Sequence, residues 1–188
     1  DDVNFDISTG SGNNDNVLLR FNHLSLDPSG RPEDSFDLGA GDRDYLILTD
    51  DVSITTEDEG ALLSNVMNVS GLAVEAIGGG GIDGPTATID ASLINEDRLY
   101  FGTQGEVELT NVSSFDLIGF FYTTIGASSI DMREGEQTLN IELFASEKGE
   151  ADVSNLTVKG ASTLAICQDP TVHIPVSGIN RVFPSASA

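Results

Sequence analysis

Apolar and polar residues alternate with a period of two along most of this chain. Such alternation, with frequent β-branched residues, predicts short strands rather than helices. A more continuously apolar segment, 115–125, is typical of a strand buried on both faces or lying at an interface, and 45–55 predicts two short strands joined by an Asp-Asp turn. The remaining predicted strands are 17–26, 86–94, 105–110, 137–145, 154–160, 162–168 and 171–176.

One segment, residues 57–69, has helical spacing. Its apolar residues form two pairs that lie one helical turn apart, Leu62 with Val66 and Leu63 with Met67. A threonine followed three residues later by a glutamate, Thr56 and Glu59, predicts a capping box at its start. The glycine at position 60 and the β-branched residues also allow a strand, so the sequence predicts at most one short helix.

The fold class follows from the order of these elements. Glycine-, proline- and aspartate-rich turn signals separate the predicted strands, and no alternation of strands with long helices appears. We find no internal repeat. The pattern therefore predicts an all-β fold, an antiparallel single β-barrel or jelly-roll-like sandwich. No linker divides the chain, so we expect residues 1–188 to form a single domain, with 177–188 as a neutral C-terminal tail.

The charge of the chain is strongly one-sided and dispersed. It has 31 acidic residues against 8 basic ones, a formal net charge of −23. Such a surface disfavours binding to nucleic acid or to an anionic membrane, because both require a cationic face. It is typical of proteins that stay soluble in concentrated salt, where screening removes self-repulsion. We therefore interpret the acid-rich segment 49–63 mainly as solvated surface.

The chain is poorly equipped for catalysis. Its two histidines, His23 and His173, are isolated in predicted strands, and Cys167 is the only cysteine. No GxSxG motif is present for a serine nucleophile. The segment 78–84, GGGGIDG, matches the dinucleotide fingerprint and a calcium β-roll repeat by letter, but it lacks a following helix and tandem copies. The sequence predicts no catalytic residue and no cofactor.

A structural cation is the one ligand for which the sequence offers candidates. Asp37, Asp42 and Asp44 lie in the glycine-rich segment 37–44. Calcium prefers several hard oxygen ligands on a loop that can wrap around it. We therefore identify these three aspartates as candidate metal ligands.

Surfaces for protein contacts are suggested by two apolar regions. The end of the chain is nearly free of charge, since residues 160–188 hold one acid, Asp169, and one base, Arg181. An uncharged end in an anionic protein fits a disordered tail and a segment that docks on a neighbour equally well. The predicted interface residues are Phe115, Phe120 and Phe121 in the apolar strand, and Ile179, Val182 and Phe183 near the end.

This combination of features resembles the smaller major capsid protein of icosahedral, internal-membrane-containing viruses that infect haloarchaea. The features are the size, the aspartate-rich composition, the short strands and the unpaired cysteine. The resemblance implies a single upright β-barrel, part of the virion, assembled with itself and with a larger sister capsid protein. It also implies proximity to an internal membrane and no direct contact with nucleic acid.

Two other classes of function remain open from the sequence. The main alternative is a secreted halophilic filament or surface-layer subunit on the extracellular surface, polymerising by strand donation with the start of the chain, DDVNFDIS, as the donor. A calcium-dependent binding module or a small hydrolase forms the third class.

Overall fold

The fold is a solenoid of stacked coils. The computed structural model describes residues 4–10, 12, 14–39, 41, 43–76, 84–114, 116–121, 127–134, 138–143, 151–152, 155–161, 163–168, 176–177 and 180–182. Successive coils contribute short strands to shared sheets, and each strand pairs with the equivalent strand of a neighbouring coil. The arrangement is that of a parallel β-helix.

The strands are short, and most span three to six residues. In chain order they are β1 (Asp6–Ser8), β2 (Asn16–Leu19), β3 (Ser35–Asp37), β4 (Tyr45–Leu48), β5 (Val52–Ile54), β6 (Val66–Met67), β7 (Gly71–Glu75), β8 (Ala87–Asp90), β9 (Arg98–Gly102), β10 (Val107–Val112), β11 (Leu117–Phe120), β12 (Ser128–Met132), β13 (Thr138–Leu143), β14 (Ala151–Asp152), β15 (Leu156–Lys159), β16 (Thr163–Gln168), β17 (Val176–Ser177) and β18 (Asn180–Val182).

Three main sheets run along the solenoid. A seven-stranded sheet has the order β16-β13-β11-β9-β7-β4-β2, a six-stranded sheet has the order β18-β15-β12-β10-β8-β5, and a three-stranded sheet has the order β1-β3-β6. A small fourth sheet pairs β14 with β17. The step from one coil to the next is not constant: Asn16 pairs with Tyr45, Tyr45 with Gly71, and Arg98 with Leu117. The number of residues per coil therefore differs from one coil to the next, although the strands stay paired.

The predicted antiparallel barrel or jelly-roll-like sandwich is wrong. Every pairing between the strands named above is parallel. The antiparallel contact that the structure contains is an isolated bridge between Leu26 and Pro32. The prediction failed because alternation was taken as a sign of antiparallel pairing, whereas in a solenoid parallel strands also have one inward and one outward face.

The core is built from rows of like side chains, one from each coil. In the seven-stranded sheet, Leu46, Leu72, Leu99, Ile118 and Ile141 lie at successive register positions, and all five are buried. A second row includes Phe101 and Phe120, whose ring centroids lie 5.7 Å apart. Because each row stacks apolar residues on apolar residues, register and burial reinforce each other.

The predicted helix forms over a shorter range than its spacing indicated. Helix α1 spans Glu57–Ala61, and the capping box between Thr56 and Glu59 is confirmed. The prediction of at most one short α-helix holds for the described residues. Two predicted strands end early in short 3-10 turns, at Phe21–His23 after β2 and at Ala91–Leu93 after β8, because the chain must leave its sheet to turn the corner.

Candidate functional site

The most distinctive polar feature is a carboxylate that precedes a strand and caps the neighbouring coil. Asp34 precedes β3, and its Oδ1 accepts a hydrogen bond of 2.9 Å from the backbone N–H of Phe5, 29 residues earlier. Ser35 N–H in turn donates to the carbonyl of Phe5 at 2.8 Å. The side chain thus continues the ladder beyond the strand, where no backbone carbonyl is available.

The same arrangement recurs at two other corners. Asp44 precedes β4 and accepts from the N–H of Asp15 at 2.8 Å, while Tyr45 N–H donates to the carbonyl of Asp15 at 3.3 Å. Asp51 precedes β5 and accepts from the N–H of Thr86 at 2.8 Å. These two residues and Asp34 are called the strand-cap aspartates here.

The acid-rich segment 49–63 is therefore structural rather than merely solvated. Asp50 accepts from the N–H of Phe21 at 2.6 Å, and Asp51 is a strand-cap aspartate. Glu59 accepts from the N–H groups of Thr55 and Thr56 at 2.7 and 3.0 Å. The hydrogen bonds from Thr55 hold the pKa of Glu59 below its ordinary value. Our interpretation of this segment as mainly solvated surface missed these backbone contacts.

The predicted metal ligands are only partly brought together. Asp42 lies outside the described residues. Asp37 Oδ1 accepts from Asn68 Nδ2 at 2.8 Å and from Gly39 N–H at 3.1 Å, and the bond from Asn68 is the main reason why the pKa of Asp37 is lowered. Asp44 is fully buried. In the part of the chain that the structure describes, no group of three or more His, Cys, Asp or Glu side chains could hold a metal ion.

Asp44 nevertheless stands out among the carboxylates. Its Oδ1 caps Asp15, but its buried Oδ2 has no hydrogen-bond partner among the described residues. The backbone N–H of Asp44 donates to Ser70 Oγ at 3.1 Å, and Ser70 N–H donates to the Asp44 carbonyl at 2.6 Å. Both neighbouring coils therefore fix the position of this carboxylate.

A sequence signal for this site was present but was not found. The segments 10–15 and 39–44, GSGNND and GAGDRD, share the pattern G-x-G-x-x-D and lie 29 residues apart. The same offset relates β2 to β4. Asn14 and Arg43, at equivalent positions, adopt nearly the same left-handed backbone, with φ of 66° and 67°. Our statement that the chain has no internal repeat is wrong for these two coils.

An aromatic patch covers the outer face of the seven-stranded sheet. Tyr100 meets Tyr45 edge to face, with centroids 5.1 Å apart, and stacks on Phe121 at 5.6 Å. Burial is the main reason why the pKa of Tyr100 rises to about 12. A buried tyrosine that resists ionisation provides packing here rather than acid–base chemistry.

The predicted interface residues have mixed locations. Phe120 is buried in the core of the single chain, and Phe121 packs on Tyr100. Val182 lies in β18 opposite Lys159. Phe115, Ile179 and Phe183 lie outside the described residues.

Residues considered for catalysis also find no shared site. His23 is exposed in a 3-10 turn and not in a strand as predicted, while His173 lies outside the described residues. Cys167 lies in β16 opposite Glu142.

Comparisons with known proteins add no identity. No protein-family model, no curated protein and no solved structure matches this chain. Among the described residues, no helix has the length and apolar character needed to cross a membrane.

Proposed function

We propose that this chain is a structural subunit of a filament or surface layer in a salt-rich environment, and that its solenoids add end to end. The observation that supports this role is the free edge of β2. Among the described residues β2 pairs with β4 on one side, and no described strand pairs with its other side. An uncovered strand edge is a template for pairing with another chain.

The orientation of the backbone defines the groups available at this edge. Tyr45 N–H donates to the carbonyl of Asp15, and Thr49 N–H donates to that of Leu19 at 3.0 Å. The alternate residues, Asn16 and Leu18, therefore direct their backbone groups away from β4. The Leu18 side chain is 56% exposed, more than expected for a large apolar residue in a covered sheet.

The apolar interior is also less covered in the first coil than in the next. Val17 and Leu19 point into the core but are only partly buried, whereas Leu46 and Leu48, their register partners in β4, are fully buried. A further coil placed on β2 would cover Val17 and Leu19 in the way that β2 covers β4. This burial would add a hydrophobic contribution to the hydrogen bonds of strand addition.

A second copy of the chain is the occupant that fits this edge. β2 and β16 are the opposite edges of one parallel sheet. Strand polarity makes the two edges different, so β2 of one copy extends the same parallel ladder when it meets β16 of another. Such a head-to-tail contact does not close on itself unless the rotation brings the ends together, and it produces filaments.

The proposal changes two expectations from the sequence. The resemblance that implied a capsid role also implied an upright β-barrel, which this chain does not form. We therefore propose the filament or surface layer instead. The start of the chain was expected to donate a strand to a neighbour. Asp6–Ser8 instead forms β1, which pairs with β3 of its own chain, so only its other edge is available to a neighbour.

The test compares two substitutions of one exposed residue. Leu18→Pro removes an outward N–H, which blocks strand addition, and proline is tolerated on a strand edge whose N–H faces away from the sheet. Leu18→Ala keeps the N–H and removes similar apolar surface. Light-scattering mass and electron microscopy at about 2 M salt, where charges are screened over only a few ångströms, should show linear assemblies for wild type and Leu18→Ala.

We expect Leu18→Pro to remain monomeric under the same conditions, with an unchanged circular dichroism spectrum. Dilution to about 0.1 M salt should dissociate wild-type assemblies, because the net charge of −23 per chain is then poorly screened. A wild-type protein that is monomeric at every salt concentration would contradict the proposal. Assembly of Leu18→Pro equal to that of Leu18→Ala would contradict the role of this edge.

A further inference from the structure

We propose that the first two coils bind one calcium ion between the turns at residues 10–15 and 39–44, with Asp44 Oδ2 as the central ligand. This inference does not depend on assembly, because all the groups involved lie within one chain. It replaces the predicted ligand set Asp37, Asp42 and Asp44 with groups that the structure brings together from two coils.

The described glycines of these two segments approach each other closely. A side chain on Gly39 would collide with the carbonyl oxygen of Gly10, and one on Gly41 would collide with the carbonyl oxygen of Gly12 and with Asp44 Oδ2. Gly12 O and Asp44 Oδ2 therefore lie on the same side of the Gly41 backbone, close to one point. Only glycine at position 41 lets these two oxygens approach the backbone so closely, because any side chain there would collide with both.

A third oxygen source adjoins the same turn. The Asp15 carboxylate oxygens lie 3.1 and 3.2 Å from the point that a Cβ on Gly12 would occupy. The backbone N–H of Asp15 donates to Asp44 Oδ1 at 2.8 Å, so the two aspartates are held next to each other. Asp44 supplies a buried ligand, Asp15 a partly buried one, and Gly12 a carbonyl.

One oxygen of the buried Asp44 carboxylate has no partner among the described protein groups. Its side chain is 0% exposed, and Oδ2 has no hydrogen-bond donor among the described residues. The ion pair found among the described residues joins Lys159 to Asp131, in a different region. A buried carboxylate oxygen without a donor is unfavourable, and a bound cation would supply the partner that Oδ2 lacks.

Calcium is the cation that best suits this set of groups. All of the candidate ligands are hard oxygens, and they include a backbone carbonyl, which excludes a site of the zinc type. Calcium accepts six to eight oxygens at flexible angles, so water can complete its coordination. Magnesium requires a near-ideal octahedron and gives up its water reluctantly, so it should bind these groups more weakly than calcium does.

The test measures calcium binding by calorimetry on the chelator-treated full chain, in about 1 M sodium chloride to suppress weak binding to the acidic surface. We expect one calcium ion per chain and a melting temperature that rises with calcium. Asp44→Asn keeps the cap on Asp15 but removes the charge, and it should weaken calcium binding at least tenfold. Magnesium at the same concentration should produce a smaller shift in melting temperature.

The matched control is Asp51→Asn, which makes the same change in another strand-cap aspartate. It should bind calcium as tightly as wild type does. Asp15→Asn provides a second variant, at a partly exposed position that should fold even if Asp44→Asn does not, and it should also weaken binding. No calcium binding by wild type at millimolar calcium would overturn the proposal, as would wild-type affinity in both Asp44→Asn and Asp15→Asn. Running the titration on monomeric Leu18→Pro separates this result from the outcome for assembly.

Discussion

At the scale of single residues, the aspartates act as replacements for backbone carbonyls. Where a strand begins at a corner, the neighbouring coil has one backbone N–H that lies just beyond the hydrogen bonds between the two strands and needs another acceptor. Asp34, Asp44 and Asp51 each place a carboxylate oxygen at that N–H, from the position directly before a strand. A carboxylate is a strong acceptor and aspartate is short, so the bond forms with little loss of side-chain freedom.

The cap at Asp34 should be the most sensitive to substitution. Its two oxygens accept from the N–H groups of Phe5 and Ser25, at 2.9 and 3.0 Å, and the residue is buried. Asp34→Ala leaves both donors unpaired and should lower the free energy of unfolding by about 2–4 kcal/mol. Asp51→Ala, at an exposed position, should cost about 1 kcal/mol. Urea denaturation of the two variants measures this difference, and equal losses would show that burial and the second hydrogen bond do not set the cost of losing a cap.

Glu96 predicts an unusual dependence of stability on pH. Burial raises the pKa of this glutamate above its ordinary value of 4.5, and Oε2 has no hydrogen-bond partner among the described residues. A raised pKa in the folded state favours the protonated form. The stability that Glu96 contributes is therefore present below about pH 4.5 and is lost as the pH rises through the raised pKa.

The substitution Glu96→Gln should remove this loss. We expect the variant to be more stable than wild type near pH 8, by on the order of 1 kcal/mol, because a neutral amide costs less to bury than a carboxylate. Thermal denaturation from about pH 4 to pH 8 should show the advantage shrinking toward zero at the acidic end. An advantage that stays constant with pH would show that charge is not its source.

At the scale of elements, the sequence predicted where many strands lie but not how they pair. Alternation located β8, β10, β13 and β15, and the Asp-Asp turn between β4 and β5 was also predicted correctly. Pairing was lost because strands of three to six residues with polar corners look the same in an antiparallel meander and in a solenoid. Parallel strands are usually recognised by the long helices that connect them, and the corners of this solenoid contain no such helices among the described residues.

The repeated turn G-x-G-x-x-D was the signal that could have settled the pairing. Paired residues of β2 and β4 keep a constant offset of 29, which marks a parallel ladder, because an antiparallel hairpin brings together residues of steadily changing separation. The glycines carry this information because only they allow the turns to stack. Asp44 was predicted as a ligand, but its contact with Asp15 in the first coil could not be recognised without the register of β2 and β4.

Two glycines with similar backbone angles provide a test of turn stacking. Gly39 and Gly30 have φ of 82° and 79°, so alanine is strained at both. A Cβ at position 30 has no atom within 4 Å, whereas one at position 39 collides with the carbonyl of Gly10. Gly30→Ala should cost about 1 kcal/mol and Gly39→Ala roughly 2 kcal/mol more, measured by urea denaturation. Equal costs would show that the turns have room to separate.

At the scale of the whole molecule, each coil contacts mainly the coils before and after it. Stability in such a chain is a sum of coil terms and nearest-neighbour terms, so length can change without a change of fold. The strand-cap aspartates Asp34, Asp44 and Asp51 lie at successive corners, directly before β3, β4 and β5. The burial of Phe120 could not be predicted from the sequence, because it depends on the pairing of Phe120 with Phe101 in the previous coil.

The parallel ladders have a mechanical consequence. Their hydrogen bonds point along the axis on which the coils stack, so tension along that axis opens one coil at a time instead of shearing many bonds together. The coil between Tyr45 and its register partner Gly71 covers 71 − 45 = 26 residues. Its release would lengthen the chain by roughly 90 Å at about 3.4 Å per residue. A fibre of such units would yield in small steps under load while its remaining coils stayed intact.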